Sequence, residues 1–203
     1  MTDREAVFSA IRAALEPLPE RAAYPEWDAQ VTAARFAHGE QDTVALFAER
    51  LQAAHGFCLA GWEALAQFLR EQGLEGAEGY LDPALAEQAG GHLGGFTLAG
   101  AIDRARIDDY RFGITPASGA IAETGSIILR DGDTPHRLAA LAPWVHIAVV
   151  RRETVVRTVA EAVAALGDDP SIVLATGPSK TADIEGILIE GVHGPGVQAC
   201  CVV

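Results

Sequence analysis

The chain has 203 residues, enough for one medium α/β domain or a domain with a helical extension. Hydrophobic residues make up 49% and charged residues 21%, which permits a sizeable core and argues against wholesale disorder. The net charge of −13, with Arg151-Arg152 the only adjacent basic pair, disfavours nonspecific nucleic-acid binding because phosphates would be repelled. No apolar run approaches the roughly 20 residues needed to cross a bilayer. The opening stretch MTDREAVFSAIRAALEP is charged early and lacks the apolar core and cleavage pattern of a signal peptide, so a cytoplasmic location is expected.

In chain order, residues 4–15 place Val7, Phe8, Ile11 and Leu15 at helical spacing, closed by Pro17 and Pro19. The stretch 16–40 reads as a connection. Residues 42–54 form a second amphipathic helix with Val44, Phe47 and Leu51 on one face, Asp42 at its start and Gly56 past its end. The sequence thus divides into a helical extension, 1–56, packed on a main α/β domain, 57–203.

From residue 57 short apolar runs alternate with helices. FCLAG (57–61) is a strand, and WEALAQFLREQ (62–72) a helix closed by Gly73. Residues 79–112, broken by glycine pairs, are expected to be loops and short strands. GSIILR (125–130) and WVHIAVV (144–150) are strands, ETVVRTVAEAVAAL (153–166) a helix, and SIVLAT (171–176) a strand. SKTADIEGILI (179–189) begins as a helix, and VQACCVV (197–203) is a last strand. Nearly continuous apolar strands separated by helices argue for a mainly parallel, Rossmann-like sheet flanked by helices.

Two clusters carry possible chemistry. In TGPSKT (176–181) the chain would leave the carboxyl edge of the sheet and enter a helix, where free N–H groups favour an anion. Ser179 or Thr181 is the natural N-cap, Asp183 and Glu185 suit the first turn, and Lys180 adds a point charge. Capping alone and ligand binding both fit these residues. The stretch is no nucleotide-binding P-loop, since Ser179 precedes the lysine, and no nucleophile elbow, since Thr181 stands where glycine is required. GVHGPG (191–196) has the wrong spacing for a dinucleotide fingerprint.

The second cluster is GITPASGAIAETGSIIL (113–129). Glu123 follows the apolar run AIA, and a partly desolvated carboxylate there suits general acid–base or nucleophilic work. The same glutamate also suits a turn, bonded to neighbouring backbone N–H groups. Among six histidines none forms H-x-x-H, His146 fits packing within its strand, and His193 is exposed by glycines on both sides. His193 is read as a proton carrier or anion ligand, with a structural role as the alternative. No metal site is expected. Cys58, Cys200 and Cys201 form no C-x-x-C, so they read as buried small hydrophobes and no iron–sulfur cluster is expected in this chain.

AIAETGSI, ATGPSKTADIEG and GVHGPG, in this order, resemble the lactate utilization protein C family, whose defining unit is the LUD domain. The resemblance spans about residues 57–203 and is densest over 113–196. It implies a fold like ribose-5-phosphate isomerase and the CoA transferases. It also implies a role in oxidising L-lactate to pyruvate with two partner proteins, at least one of them carrying iron–sulfur clusters. In the related fold, sugar-phosphate and CoA ligands bind at turns like 113–118 and 176–181. On that footing a small carboxylate or phosphate-bearing ligand would meet Thr115, Ser118, Thr124, Gly125, Thr176, Gly177, Ser179, Lys180, Thr181 and Asp183. Glu123 takes the nucleophile's place by analogy with the CoA transferases. Lys180 stands where arginine is common, which turns a bidentate grip into a single point charge. The resemblance assigns no cofactor to the chain. Two other readings remain: a freestanding isomerase or CoA-transferase-like enzyme using Glu123, and a non-catalytic assembly or regulatory module.

Overall fold

Thr2 opens the first helix, α1 (Asp3–Leu15): its hydroxyl accepts from Glu5 N while the Glu5 carboxylate accepts from Thr2 N at 2.7 Å. This reciprocal cap satisfies two donors of the helix end. The structure, a computed structural model, describes residues 2–16, 41–134, 136–167, 171–182 and 187–203. The chain forms two compact units, residues 1–37 and 38–203. In the first, α1 carries the stripe Val7, Phe8, Ile11 and Leu15, all exposed.

The second unit begins with α2 (Thr43–Ala53), capped by Asp42, whose carboxylate accepts from Val44 N and Ala45 N at 3.1 and 3.0 Å. The Ala45 N–H bond, with Arg152 nearby, holds the Asp42 carboxyl below its ordinary range. At the other end the left-handed residue is His55 (φ 71°), and Gly56 N closes the helix on Leu51 O.

Six strands make one parallel sheet in the order β1 (Phe57–Ala60), β12 (Val197–Val202), β7 (Val145–Val150), β4 (Phe112–Pro116), β2 (Glu78–Leu81) and β3 (Thr97–Ala99). Alternate side chains of these strands enter two cores. On one face Phe112, Ile114, Ile147, Val149, Ala199 and Cys201 pack with Trp62, Leu65 and Leu69 of α3 (Gly61–Glu71) and with Ala89 of the short α4 (Ala86–Ala89). On the other, Ala148, Val150 and Cys200 pack with Leu46, Phe47 and Leu51 of α2 and with a second sheet. Because both faces are covered, VHIAVV and VQACCV read as continuous apolar runs rather than alternating ones. Cys200 and Cys201 are buried, Cys58 half-buried, and all three are free; burial pushes each thiol pKa up.

The second sheet has four strands in the order β8 (Val155–Val156), β5 (Gly119–Ile121), β6 (Ser126–Arg130) and β9 (Ile172–Ala175), with β5–β6 and β6–β9 antiparallel. α5 (Arg137–Leu141) precedes β7, and α6 (Val159–Leu166) packs Ala162 on Ile121 and Ile128. The expected mainly parallel sheet flanked by helices is therefore observed. No helix among the described residues is long and apolar enough to cross a membrane.

Three sequence expectations change. SIVLAT does not join the parallel sheet. It is the half-buried edge strand β9, and among the described residues only β6 (Ser126–Arg130) pairs with it. The helix expected over 153–166 begins at Val159, where Thr158 and Glu161 form a capping box; the β-branched pair Val155–Val156 before it is extended and pairs with Ala120–Ile121. Most consequentially, 179–189 does not begin as a helix. β10 (Lys180–Ala182) runs antiparallel to β11 (Leu188–Glu190), with Thr181 opposite Ile189. Among the described residues of this stretch no helix N-terminus is present to receive an anion.

Candidate functional site

The two motif loops are built into each other. Ser179 N donates to Pro195 O at 2.9 Å, and Gly191 N donates back to Ser179 O at 2.8 Å. Gly177 (φ 74°) lies so close to Ala54 O, at the end of α2, that a Cβ would collide with it. Glycine is required there by both the left-handed backbone and the contact. This interlock places TGPS at the amino-terminal ends of β7 and β12, not at the carboxyl edge expected from the sequence.

Between the loops lies a cavity of about 250 Å³. Thr176, Ser179 and His193 supply polar groups, His146 and Gln198 are the buried ones, and Leu129, Ala140 and Leu174 are among the apolar walls. His146 and Gln198 belong to a buried polar chain across the sheet. Thr115 Oγ1 lies 2.9 Å from His146 Nε2, and His146 Nδ1 lies 3.0 Å from Gln198 Oε1. The Gln198 amide nitrogen donates to Ala199 O at 3.0 Å, which leaves Oε1 to accept. The histidine is thereby assigned as the Nδ1–H tautomer, accepting from the Thr115 hydroxyl at Nε2. Burial depresses its pKa to about 4, only partly opposed by the Gln198 bond, so it stays neutral at ordinary pH.

The remaining sequence candidates divide by location. Thr124 Oγ1 lies 2.7 Å from Ser126 Oγ, which lies 2.5 Å from Thr176 Oγ1. This hydroxyl relay reaches the cavity at Thr176, and Gly125 (φ 68°) sits against the backbone of Arg50 and Leu51 beside it. Ser118 is elsewhere. It follows β4 at the carboxyl edge, beside Arg151 and Val203, with Oγ buried and without a partner among the described residues. Glu123 turns toward α6 and accepts from Val159 N at 2.6 Å, the bonding pattern of a turn-holding carboxylate. The Lys180 ammonium donates to Ala54 O at 2.7 Å and lies 3.9 Å from Glu190, so its charge faces the C-terminus of α2. Thr181 lies within the β10–β11 hairpin. Asp183 and Glu185 lie outside the described residues. The structure thus brings Thr176, Gly177, Ser179 and His193 together and sets Ser118, Glu123 and Lys180 apart. Among the described residues no group of three or more His, Cys, Asp or Glu is placed to hold a metal ion.

Residues 65–203 match the LUD domain family. The chain belongs to that family. It is 38% identical over 99 residues to a lactate utilization protein C of Deinococcus radiodurans, covering 46% of this chain and 47% of that one. A lactate utilization protein C of Halalkalibacterium halodurans is 37% identical over 99 residues, covering 45% and 43%. The chain therefore spans less than half the length of these relatives in alignment. A solved DUF162 family protein from Deinococcus radiodurans shares the fold, with a TM-score of 0.60 at 22% identity over 79% of this chain and 96% of that one.

Within this LUD domain, the sequence reading took His146 as strand packing and did not single out Gln198. The signal was present: Val145-His146 and Val197-Gln198 open neighbouring parallel strands in register, one polar residue facing another. It also passed over Trp144. The indole lies so close to Gly191 and Gly196 that a Cβ at either would collide with it, which explains why GVHGPG carries glycine at both ends.

Proposed function

We propose that this LUD protein serves L-lactate utilization, the oxidation of L-lactate to pyruvate, together with iron–sulfur partner proteins, and that it holds a small carboxylate in the cavity between TGPS and GVHGPG. The observation that carries the reading is the convergence of Thr176, Ser179 and His193 on one cavity of about 250 Å³ in a chain related to lactate utilization proteins C. Hydroxyls and a ring N–H are suitable donors to a carboxylate. The cavity suits a three-carbon acid better than an acyl-CoA. His193, exposed at the mouth, is the group placed to exchange a proton with the bound acid. Neutral His146 and Gln198 give the interior polarity without a competing charge. Glu123 is engaged by Val159 N, which favours its turn-holding role over that of a nucleophile.

Deleting the gene is expected to abolish growth on L-lactate. The wild-type gene restores it, and a Ser179→Ala, His193→Ala double variant does not. Undiminished growth of the deletion strain without a redundant copy would refute the role. With purified protein, lactate or pyruvate should raise the melting temperature, because a ligand that binds only the folded state stabilises it.

A further inference from the structure

On the other side of His193 lies a second depression, of about 350 Å³, lined by Asp108, Tyr110, Arg111 and Trp144 among others. Trp144 is 51% exposed, yet one side of its indole is fixed against the backbone at Gly191 and Gly196. It is therefore a wall held on one side, and it lines the depression. The exposed Arg111 guanidinium has no ion pair or side-chain hydrogen bond among the described residues, so it is available to an anion. A fixed indole, an unpaired guanidinium and a carboxylate thus border one opening of small-ligand size.

We propose that this depression binds a nucleotide-type ligand, with its planar ring stacked on Trp144, its phosphate held by Arg111 and its ribose or ribityl hydroxyls bonded to Asp108. Stacking on an aromatic face accepts many rings, while Arg111 demands the anion. His193 borders both this depression and the smaller cavity, so a nucleotide here would sit next to a carboxylate there. The binding itself does not depend on what the smaller cavity holds.

The test titrates full-length protein with AMP and with FMN, followed by calorimetry and by tryptophan fluorescence, with adenosine and inorganic phosphate as controls. AMP or FMN should bind and quench Trp144. Arg111→Gln should weaken binding by about tenfold or more, Trp144→Ala likewise, and Trp144→Phe should retain most of it. Because Trp144→Ala removes a wall of the 191–196 loop, Arg111→Gln and Trp144→Phe decide the matter if it does not fold. Failure of both AMP and FMN to bind at millimolar concentration overturns the proposal. So does affinity indifferent to Arg111→Gln, or adenosine or phosphate alone binding as tightly as AMP. Lactate stabilisation unchanged by Arg111→Gln separates this site from the carboxylate cavity.

Discussion

Replacing His146 by glutamine should remove a definable share of the protein's acid sensitivity. The wild-type imidazole is fully buried and neutral, with a folded pKa of about 4, against about 6.5 in an unfolded chain. Between those values the unfolded state binds a proton that the folded state refuses, so stability falls as pH drops through 6.5 and the loss is complete below 4. Between pH 7 and pH 5 the difference amounts to about 2 kcal/mol. Glutamine can still donate toward Gln198 and accept from Thr115, and it does not titrate. Urea unfolding at pH 7 and pH 5, for wild type and His146→Gln, gives four stabilities. Whatever the substitution costs in packing appears at both pH values and cancels. The wild type should lose about 2 kcal/mol more than the variant between them. Equal pH dependence in the two proteins would refute the buried, neutral state assigned to this histidine.

Four further outcomes test the architecture around the site. Gly177→Ala forces a left-handed alanine into Ala54 O and should cost more than about 2 kcal/mol in urea unfolding. Glu123→Ala leaves Val159 N without its acceptor and should cost about 1 kcal/mol, a loss that its absence would contradict. Phe47→Ala empties a fully buried position between α2 and the sheets and should cost about 3–5 kcal/mol by the same measurement. Lys180→Gln removes only a cation at the end of α2 and should cost less than about 1 kcal/mol, leaving lactate-induced stabilisation unchanged; loss of that stabilisation would return Lys180 to the ligand site.

The parallel sheet was legible because its signal is local and repeated. Apart from His146 and Gln198 at their second positions, VHIAVV and VQACCV are apolar throughout, the pattern of strands covered on both faces. The same signal misled at SIVLAT, because a half-buried edge strand with α6 on one side and the main sheet on the other has the same composition. At SKTADIEG the carboxylates and small polar residues imitate a helix start. What decides the conformation is nonlocal: Ser179 bonds Pro195 and Gly191, and Lys180 faces Glu190 in the hairpin. No window of ten residues contains those partners. Glu123 was legible as a carboxylate in a special place, but only the chain at Val159 shows what the place is for.

That distinction changes what the family motifs mean. Gly177, Gly191 and Gly196 in the two loops are fixed by backbone or indole contact, and Ser179 and Pro195 join the loops through their main chains. Most of TGPSK and GVHGPG therefore shapes the space between the ends of β7 and β12, and the side-chain chemistry rests on Thr176, Ser179 and His193. A substitution among the glycines should lower stability and ligand response together, whereas Ser179→Ala should keep the melting temperature of the free protein and lose only its rise with lactate. Measured side by side, the two classes of variant separate the scaffold from the site. A Ser179→Ala protein that still responds to lactate would place the acid outside this cavity while leaving the interlock of the loops intact.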